Sequence, residues 1–243
     1  YTYTVVDPLK TNTQIIIKDG IFGSNAADGE IDGIYAGGSG YMSPGLWTSS
    51  GAIPSKTGGN VYGSEGETAA VSLTINGGTF YCKNGIFAGG RGTYWYYSNN
   101  PYGAKEGKGQ ASDYTALGQT YGNVALNIYG GIFHCPIFGG GYGVADAKLI
   151  DTNTITTLSN MARIYGKSNV TIYGGTFYKN IYGGGDMAVV ENIKKYGNKI
   201  IRKDATNVII GDKANILGSV FAGGKGRKRR LTTPVATAPV STD

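Results

Sequence analysis

The stretch SNVTIYGGTFYKNIYGGG, residues 168–185, decides the fold, because both of its halves recur along the chain. The second half is an aliphatic and an aromatic residue, a small residue and a Gly-Gly pair, and it occurs five times: IYAGG (34–38), IFAGG (86–90), IFGGG (137–141), IYGGG (181–185) and VFAGG (220–224). A β-branched segment precedes each copy: TQIIIKDGIF (13–22), VSLTINGGTF (71–80), VALNIYGGIF (124–133), SNVTIYGGTF (168–177) and TNVIIGDKAN (206–215). Five copies of a two-part unit indicate a repeat protein.

Apolar and polar residues alternate in the first half of the unit. In the second copy the apolar residues are Val71, Leu73 and Ile75, and Asn76 lies on the opposite face. This period of two is typical of a strand with one buried face. The Gly-Gly pair that follows predicts a sharp corner with positive φ, where a Cβ would clash. Each unit is therefore predicted to be one coil: strand, corner, short strand, corner.

One coil cannot bury its own apolar face, whereas stacked coils can. Equivalent strands would pair in parallel about 4.8 Å apart, and like side chains would form interior ladders. We therefore predict an all-β fold, a parallel β-helix of about five coils, right-handed because parallel crossovers favour that hand. One aromatic residue per coil is predicted to form a buried ladder: Tyr35, Phe87, Phe138, Tyr182 and Phe221.

The predicted single domain covers residues 1–224, with repeat cores at 13–38, 71–90, 124–141, 168–185 and 206–224. Insertions of 39–70, 91–123, 142–167 and 186–205 separate the cores. All four follow the second Gly-Gly pair, which predicts that they project from one flank and form an interaction surface. Residues 225–243 are predicted to be a basic and then Thr/Pro-rich linker or tail.

Composition and charge exclude several classes of protein. Glycine supplies 42 of the 243 residues without a G-X-Y period, so the chain is not collagen. No apolar run approaches the roughly 20 residues of a membrane helix. Five of the 22 basic residues lie within 225–230, and the rest nearly balance the 16 acidic residues, so no nucleic-acid partner is expected. The start at Tyr1, without a methionine or signal peptide, predicts a processed form or a fragment.

The run NVTIYGGTFYKNIYGGGD (169–186) resembles the glycine-rich repeats of large bacterial cell-surface and secreted proteins with adhesin-like β-helices. The resemblance covers the five repeat cores and not the insertions. The first and fifth copies depart from it, with Lys18-Asp19-Gly20 and Gly211-Asp212-Lys213 near the place of the Gly-Gly pair. It implies an extracellular or cell-surface protein with a structural or adhesive role, and it carries no catalytic motif.

Consecutive aromatic residues in the second insertion form a candidate binding segment: Tyr94, Trp95, Tyr96 and Tyr97, with Tyr102 close behind. In a strand these rings would face both ways, so at least two would be exposed or covered by another segment. Exposed Trp and Tyr bind sugars and proteins because flat rings bury area at low entropic cost. This predicts a glycan or a host or cell-surface protein as partner. The alternative is a lid lying over the coils.

Asp28, Glu30 and Asp32 form a candidate calcium site. Their alternating spacing, with Gly33 in the sixth place, matches the first half of a calcium-binding loop. The twelfth place holds Ser39 where such a loop has a bidentate glutamate. The alternative is a polar turn in an expanded corner of the first coil, with no cofactor.

Cys82 and Cys135 each lie two residues after the repeat phenylalanine, so they fall on one rung of neighbouring coils. Their Cα atoms would lie about 5 Å apart, within disulfide range, but stacked side chains point in parallel, which is poor geometry for the bond. A disulfide and a buried thiol pair both remain open. His134 is the only histidine, and no metal or nucleophilic role is expected for it.

The alternative to a scaffold is a carbohydrate-active enzyme, either a polysaccharide lyase or a glycoside hydrolase. Such catalysis needs paired carboxylates, or a basic residue with acids, on one outward face. The repeat cores lack this pattern, although the insertions could assemble a site from Asp113, Asp146, Asp151 or Glu191. We therefore predict a protein that is not an enzyme.

The coil edges at the ends of the stack would carry unpaired N–H and C=O groups. The first ten residues, YTYTVVDPLK, suit an added strand better than an amphipathic cap. We therefore expect self-association or pairing with further repeats of a longer chain. The alternative is a monomer whose insertions seal both ends.

Overall fold

The computed structural model of the chain describes residues 12–42, 47–48, 51–52, 59–63, 69–94, 118–143, 161–196 and 199–226. These residues are all-β: they include no helix, and hence none that is long and apolar enough to cross a membrane. In chain order the strands are β1 (Thr13–Ile17), β2 (Ile21–Phe22), β3 (Ile34–Tyr35), β4 (Ser39–Met42), β5 (Trp47–Thr48), β6 (Gly51–Ala52), β7 (Val61–Tyr62), β8 (Val71–Ile75), β9 (Thr79–Phe80), β10 (Ile86–Phe87), β11 (Arg91–Tyr94), β12 (Thr120–Tyr121), β13 (Val124–Ile128), β14 (Ile132–Phe133), β15 (Ile137–Phe138), β16 (Ile164–Tyr165), β17 (Ser168–Phe177), β18 (Ile181–Tyr182), β19 (Val190–Glu191), β20 (Ile193–Tyr196), β21 (Lys199–Arg202), β22 (Thr206–Ile216) and β23 (Val220–Phe221).

Parallel pairing joins most of these strands into three rows. The main row runs β1-β8-β13-β17, with β22 on the far side of β17, and its sheet continues from β17 through β14, β9 and β2. The second row is β3-β10-β15-β18-β23, and the third is β7-β12-β16-β19. β4 and β11 form a further parallel pair, whereas β5–β6 and β20–β21 are antiparallel. The predicted all-β, parallel-strand character is confirmed, in several separate sheets.

Five units, numbered 1 to 5 and starting at Thr13, Val71, Val124, Ser168 and Thr206, align in register in the main row. Like therefore stacks on like: Leu73 pairs with Leu126, and Ile75 pairs with Ile128. The burial alternates as the sequence predicts, since the apolar positions of β8 and β13 are fully buried and the residues between them are partly exposed. This burial supplies the main stabilisation of the fold.

Two aromatic ladders run across the units. The predicted ladder at the second row is present, with ring centroids 4.5 to 5.2 Å apart from Tyr35 to Phe221. A second ladder lies in the core, with nearly parallel rings stacked 4.6 to 4.9 Å apart: Phe22, Phe80, Phe133 and Phe177. Stacking of this kind adds to the energy of burial.

Glycines serve two different purposes at the corners. After the main strand, the second glycine of each pair has positive φ, 112° at Gly78 and 121° at Gly131. After the second row, one glycine per unit instead lets two backbones approach closely, and these residues form the glycine column: Gly37, Gly89, Gly140, Gly184 and Gly223. A Cβ on any of the first four would lie under 3.0 Å from backbone atoms of the next unit.

The outer units differ from the others at the first corner. In unit 1, Gly20 has φ of 133° and takes the place of the second glycine. In unit 5 the pairing register shifts between Ile172 and Gly174 of β17, and β22 continues without a break through Lys213, which lies opposite Gly174. The departures noted in the sequence thus have a structural counterpart, and the extra residue of unit 5 is absorbed as a β-bulge.

The structure corrects the predicted insertions. Each of the first three contains, near its end, a strand of the third row, namely β7, β12 and β16. The fourth does not leave from the same corner, because β19 follows Asp186 after residues 187–189 only. Its extra length, residues 192–205, comes after the third row and holds the β20–β21 hairpin. Two-residue strands carry no periodicity, so the sequence pattern could not separate them from loops.

Lys225 belongs to the repeating body rather than to the tail. Its backbone forms a parallel bridge with Asp186, and its amide donates to the carbonyl of Gly185 at 2.8 Å. Residues 227–243, which include the remaining basic residues of the predicted tail, lie outside the described ranges.

Candidate functional site

A polar cluster lies beside the second row, where units 1, 2 and 3 meet. It consists of Asp32 and Tyr35 from unit 1, Asn84 and Arg91 from unit 2, and Tyr142 from unit 3. Tyr35 ends β3, Arg91 begins β11, and a parallel bridge joins Arg91 to Tyr142. In-register stacking therefore brings together residues that are far apart in the chain.

Asp32 is the centre of the polar cluster. Its Oδ1 accepts a hydrogen bond from Asn84 Nδ2 at 3.0 Å. Its Oδ2 accepts one from the Tyr35 hydroxyl at 3.1 Å and another from the Arg91 guanidinium at 2.5 Å. The Tyr142 hydroxyl donates to Asn84 Oδ1 at 3.3 Å and extends the network to unit 3. Both carboxylate oxygens are therefore engaged.

Aromatic rings also pack against the residues of the polar cluster. The Arg91 guanidinium carbon lies 5.4 Å from the centre of the Tyr35 ring, within the range of a cation–π contact. The Tyr35 ring stacks on Phe87 at 5.2 Å and meets Tyr142 at 6.0 Å. Burial raises the pKa of the Tyr35 hydroxyl above its usual range, so this group stays a protonated donor in alkaline solution as well as at neutral pH.

This geometry suits joining the units better than proton transfer. A carboxylate whose two oxygens accept three hydrogen bonds is poorly placed to take a proton from a substrate. Asp28 and Glu30 are exposed, and the described ranges contain no group of three or more His, Cys, Asp or Glu side chains that could hold a metal. The calcium site stays a prediction, and it would require Asp32 to exchange its contact with Arg91 for the ion.

Two further ion pairs connect neighbouring units. Lys225 Nζ of unit 5 lies 2.9 Å from Oδ2 of Asp186 in unit 4, and the Asp186 side chain is only 3% exposed. Arg163 of unit 3 pairs with Glu191 of unit 4, and its guanidinium lies 5.4 Å over the Tyr165 ring. Charge-assisted pairs of this kind orient their partners strongly when they are partly buried.

One of these ion pairs engages an acid that was a candidate for a catalytic site. Glycoside hydrolysis uses two carboxylates that face one substrate. Glu191, one candidate for a catalytic site built from insertions, instead faces the Arg163 guanidinium. The other candidates, Asp113, Asp146 and Asp151, lie outside the described residues.

Solvent-facing rings form three outer aromatic rows, with centroids 4.4 to 4.7 Å apart. Their members are Tyr62, Tyr121 and Tyr165 in the third row; Tyr129 and Tyr173 after the main strand; and Tyr81, His134 and Tyr178 after the core phenylalanines.

Ring faces in these outer rows cover each other, and in the third row the hydroxyl groups bond to a buried side chain, Gln119. The Tyr121 hydroxyl donates to Gln119 Oε1 at 2.8 Å, and Gln119 Nε2 donates to the Tyr165 hydroxyl at 3.4 Å. Burial raises the pKa of Tyr121 to about 12. Exposed members of the rows, such as Tyr129 and Tyr173, offer polar groups at the spacing of one unit, which suits a hydroxyl-rich ligand or a protein surface.

The remaining predicted residues lie apart from the polar cluster. Tyr94 ends β11, but its side chain, together with residues 95–97 and Tyr102, lies outside the described part of the chain. Cys82 and Cys135 are buried free thiols. A hydrogen bond with the Cys135 thiol, together with burial, holds the pKa of the Cys82 thiol well above its usual range. His134 stacks between Tyr81 and Tyr178.

Sequence reasoning missed both the polar cluster and the third-row tyrosines. Asn84 and Arg91 lie 52 and 59 residues from Asp32, and only the register of the units brings them together. A usable signal existed for Arg91, since it follows the second Gly-Gly pair just as Asp186 and Lys225 do. Those equivalent positions form the bridged row.

Comparison with known proteins gives no match for this chain among protein-family models, curated proteins or solved structures.

Proposed function

We propose that the chain is a structural and adhesive protein of the cell surface or extracellular space. Its architecture in this proposal is a parallel β-helix of about five coils, each unit forming one coil, and the insertions present its binding elements. The support comes from the stacking of the units and from the chemistry of their outer faces.

The order of the rows supports the β-helix. Each of units 1 to 4 contributes to the main row, then to the second row, then to the third, and unit 5 contributes to the first two. Every pairing within these rows is parallel and joins consecutive units. A chain that visits the same three faces in each repeat follows the path of a solenoid.

One observation carries the structural role: the charged side chains of the polar cluster and of both further ion pairs join one unit to the next. Asp32 reaches Arg91 from unit 1 to unit 2, and Asp186 reaches Lys225 from unit 4 to unit 5. Charged groups used in this way add rigidity and fix the register of the stack. A rigid rod of stacked units is suited to holding binding elements away from a surface.

The outer aromatic rows and the aromatic segment at 94–97 support the adhesive role. Exposed tyrosines such as Tyr129 and Tyr173 combine an apolar ring with a hydroxyl and favour glycan or protein contacts. The resemblance of residues 169–186 to repeats of bacterial surface proteins points the same way.

Replacing residues 95–117 by a short Gly/Ser linker tests this function. We expect the melting temperature to change little, because the paired rows remain, and binding to a glycan array and to intact cells to fall by about tenfold or more, since aromatic anchors dominate such interfaces. Thermal melting followed by circular dichroism and surface-binding assays measure the two effects.

The matched control replaces the β20–β21 hairpin, residues 193–202, by a tight turn. This hairpin leaves from a different corner and lacks an aromatic cluster, so binding should persist. Binding that survives the loss of 95–117, or an intact protein that binds neither glycans nor cells, would contradict the adhesive function.

A further inference from the structure

Unit 5 presents an apolar edge that the inner units bury. Ile210, Val220 and Phe221 are 39%, 43% and 44% exposed, whereas their equivalents in units 2 and 3 are fully buried. Within the described residues, β22 and β23 each pair with a strand on one side only. No described strand pairs with their outer N–H and C=O groups, and an edge of this kind can bind a further parallel strand.

The glycine column shows what kind of segment fits this edge. In units 1 to 4 the column glycine leaves room for the Gly-Gly backbone of the next unit, as Gly184 does for Gly224. Gly223 repeats the pattern, yet a Cβ placed on it would meet no described atom within 4 Å. No described residue makes the close approach that Gly223 permits, and the position matches an incoming backbone with the same Gly-Gly corner.

Unit 1 has the segments that complete this edge. The register puts Thr13, Ile15 and Ile17 in the columns that end in unit 5 at Thr206, Val208 and Ile210. In the second row, Ile34-Tyr35 shares columns with Val220-Phe221, and Gly37 heads the glycine column. β1, β2 and β3 also pair on one side only among the described strands. Unit 1 of one copy can therefore extend the columns of the main row and the second row of another, which are the rows that unit 5 shares.

The corner charges of the two edges are complementary. Asp19 of unit 1 and Lys213 of unit 5 occupy one column, whose inner members are Gly77, Gly130 and Gly174. Both side chains are exposed. Stacking unit 1 on unit 5 would place this carboxylate beside this ammonium group, and it would place Lys18 near Asp212 in the adjoining column. Complementary charges at an edge fix register and suppress wrong pairings.

We propose that the unit 5 edge of one copy binds the unit 1 edge of a second copy, head to tail, and continues the main row, the second row and the glycine column across the interface. The two edges are different surfaces, so the contact is heterologous and repeats without closing, which produces a filament. The proposal rests on the β-helix of the proposed function and adds to it the partner and the interface.

Charge reversal tests the interface on the full chain. Sedimentation velocity over a range of concentrations should show wild-type oligomers that grow with concentration, and negative-stain microscopy should show filaments. Lys213→Asp and Asp19→Lys should each weaken association by about tenfold or more, because each places like charges together. The double variant Asp19→Lys/Lys213→Asp should restore association. Single variants without effect, or a double variant weaker than both, would overturn the proposal.

A steric variant separates the interface from folding. Gly223→Val should reduce association strongly while leaving the melting temperature of the dilute protein unchanged, whereas Gly226→Val, which also meets no described atom within 4 Å, should leave both unchanged. A wild-type chain that stays monomeric at every concentration overturns the stacking alone if residues 95–117 still support binding. Filaments without glycan or cell binding would overturn the adhesive function alone.

Discussion

The stacking of the units depends on glycine at two positions of each unit. One position needs a positive φ, and the other needs the absence of a Cβ. Gly78 and Gly131 adopt positive φ, so a side chain there strains the backbone of its own unit. Gly140 has an ordinary φ, but its missing Cβ lets Gly184 and Gly185 of the next unit approach. A substitution at Gly140 therefore acts between units rather than within one.

Gly140→Ala should destabilise the protein by about 3 kcal/mol, because the new methyl group forces two backbones apart in a packed region. Gly223→Ala, at the equivalent position of unit 5, should change stability by less than about 0.5 kcal/mol in dilute solution, since the new methyl group would meet no described atom within 4 Å. Urea unfolding of both variants measures the difference. Equal losses would mean that the column glycines are selected for backbone conformation.

The strand β13 shows how an element is built for stacking. Its burial alternates strictly, with Val124, Leu126 and Ile128 fully buried and Asn127 partly exposed between neighbouring strands. A one-residue shift in register would exchange these faces, so the alternation fixes both the buried side and the pairing.

Ile128→Asp should cost more than about 3 kcal/mol of stability, because it buries a charge without a partner. Asn127→Asp changes the charge of the adjacent outward position and should stay within about 0.5 kcal/mol. The two variants differ by one position in the same strand, so thermal melts compare the faces directly. Similar melting temperatures for both would show that β13 has been assigned the wrong buried face.

Elements of different length were visible in the sequence to different degrees. The five-residue strands carry two full periods, so 71–75 and 124–128 could be predicted together with their buried residues. The third-row strands, such as Thr120–Tyr121, are too short to carry a period and were assigned to insertions. The polar cluster depends on the register between units. The sequence of a single repeat therefore does not predict that Asp32 contacts Arg91.

At the scale of the whole molecule, burial falls from the middle of the stack toward unit 5. Ile75, Ile128 and Ile172 are fully buried in the inner units, whereas Ile210 in the same column is exposed. Each unit contacts mainly its neighbours in such an array, so local stability follows the number of neighbours that a unit has.

Amide hydrogen exchange should follow this gradient. Peptides covering 124–138 should exchange slowest, and those covering 206–224 faster by about tenfold or more, since an edge unit opens at lower free energy. Mass-spectrometric detection at low protein concentration isolates the behaviour of single chains. Raising the concentration should slow exchange in 206–224 selectively if copies stack. Uniform protection along the chain at low concentration would contradict the gradient.

The outer aromatic rows also give the protein a spectroscopic signal that depends on the stacking of its units. Rings stacked 4.4 to 4.7 Å apart, as in Tyr62–Tyr121–Tyr165, share a fixed asymmetric environment, and such packing gives the near-ultraviolet dichroism that fluctuating states lose. The near-ultraviolet dichroism of the tyrosines therefore reports whether the rows are stacked, without any added label.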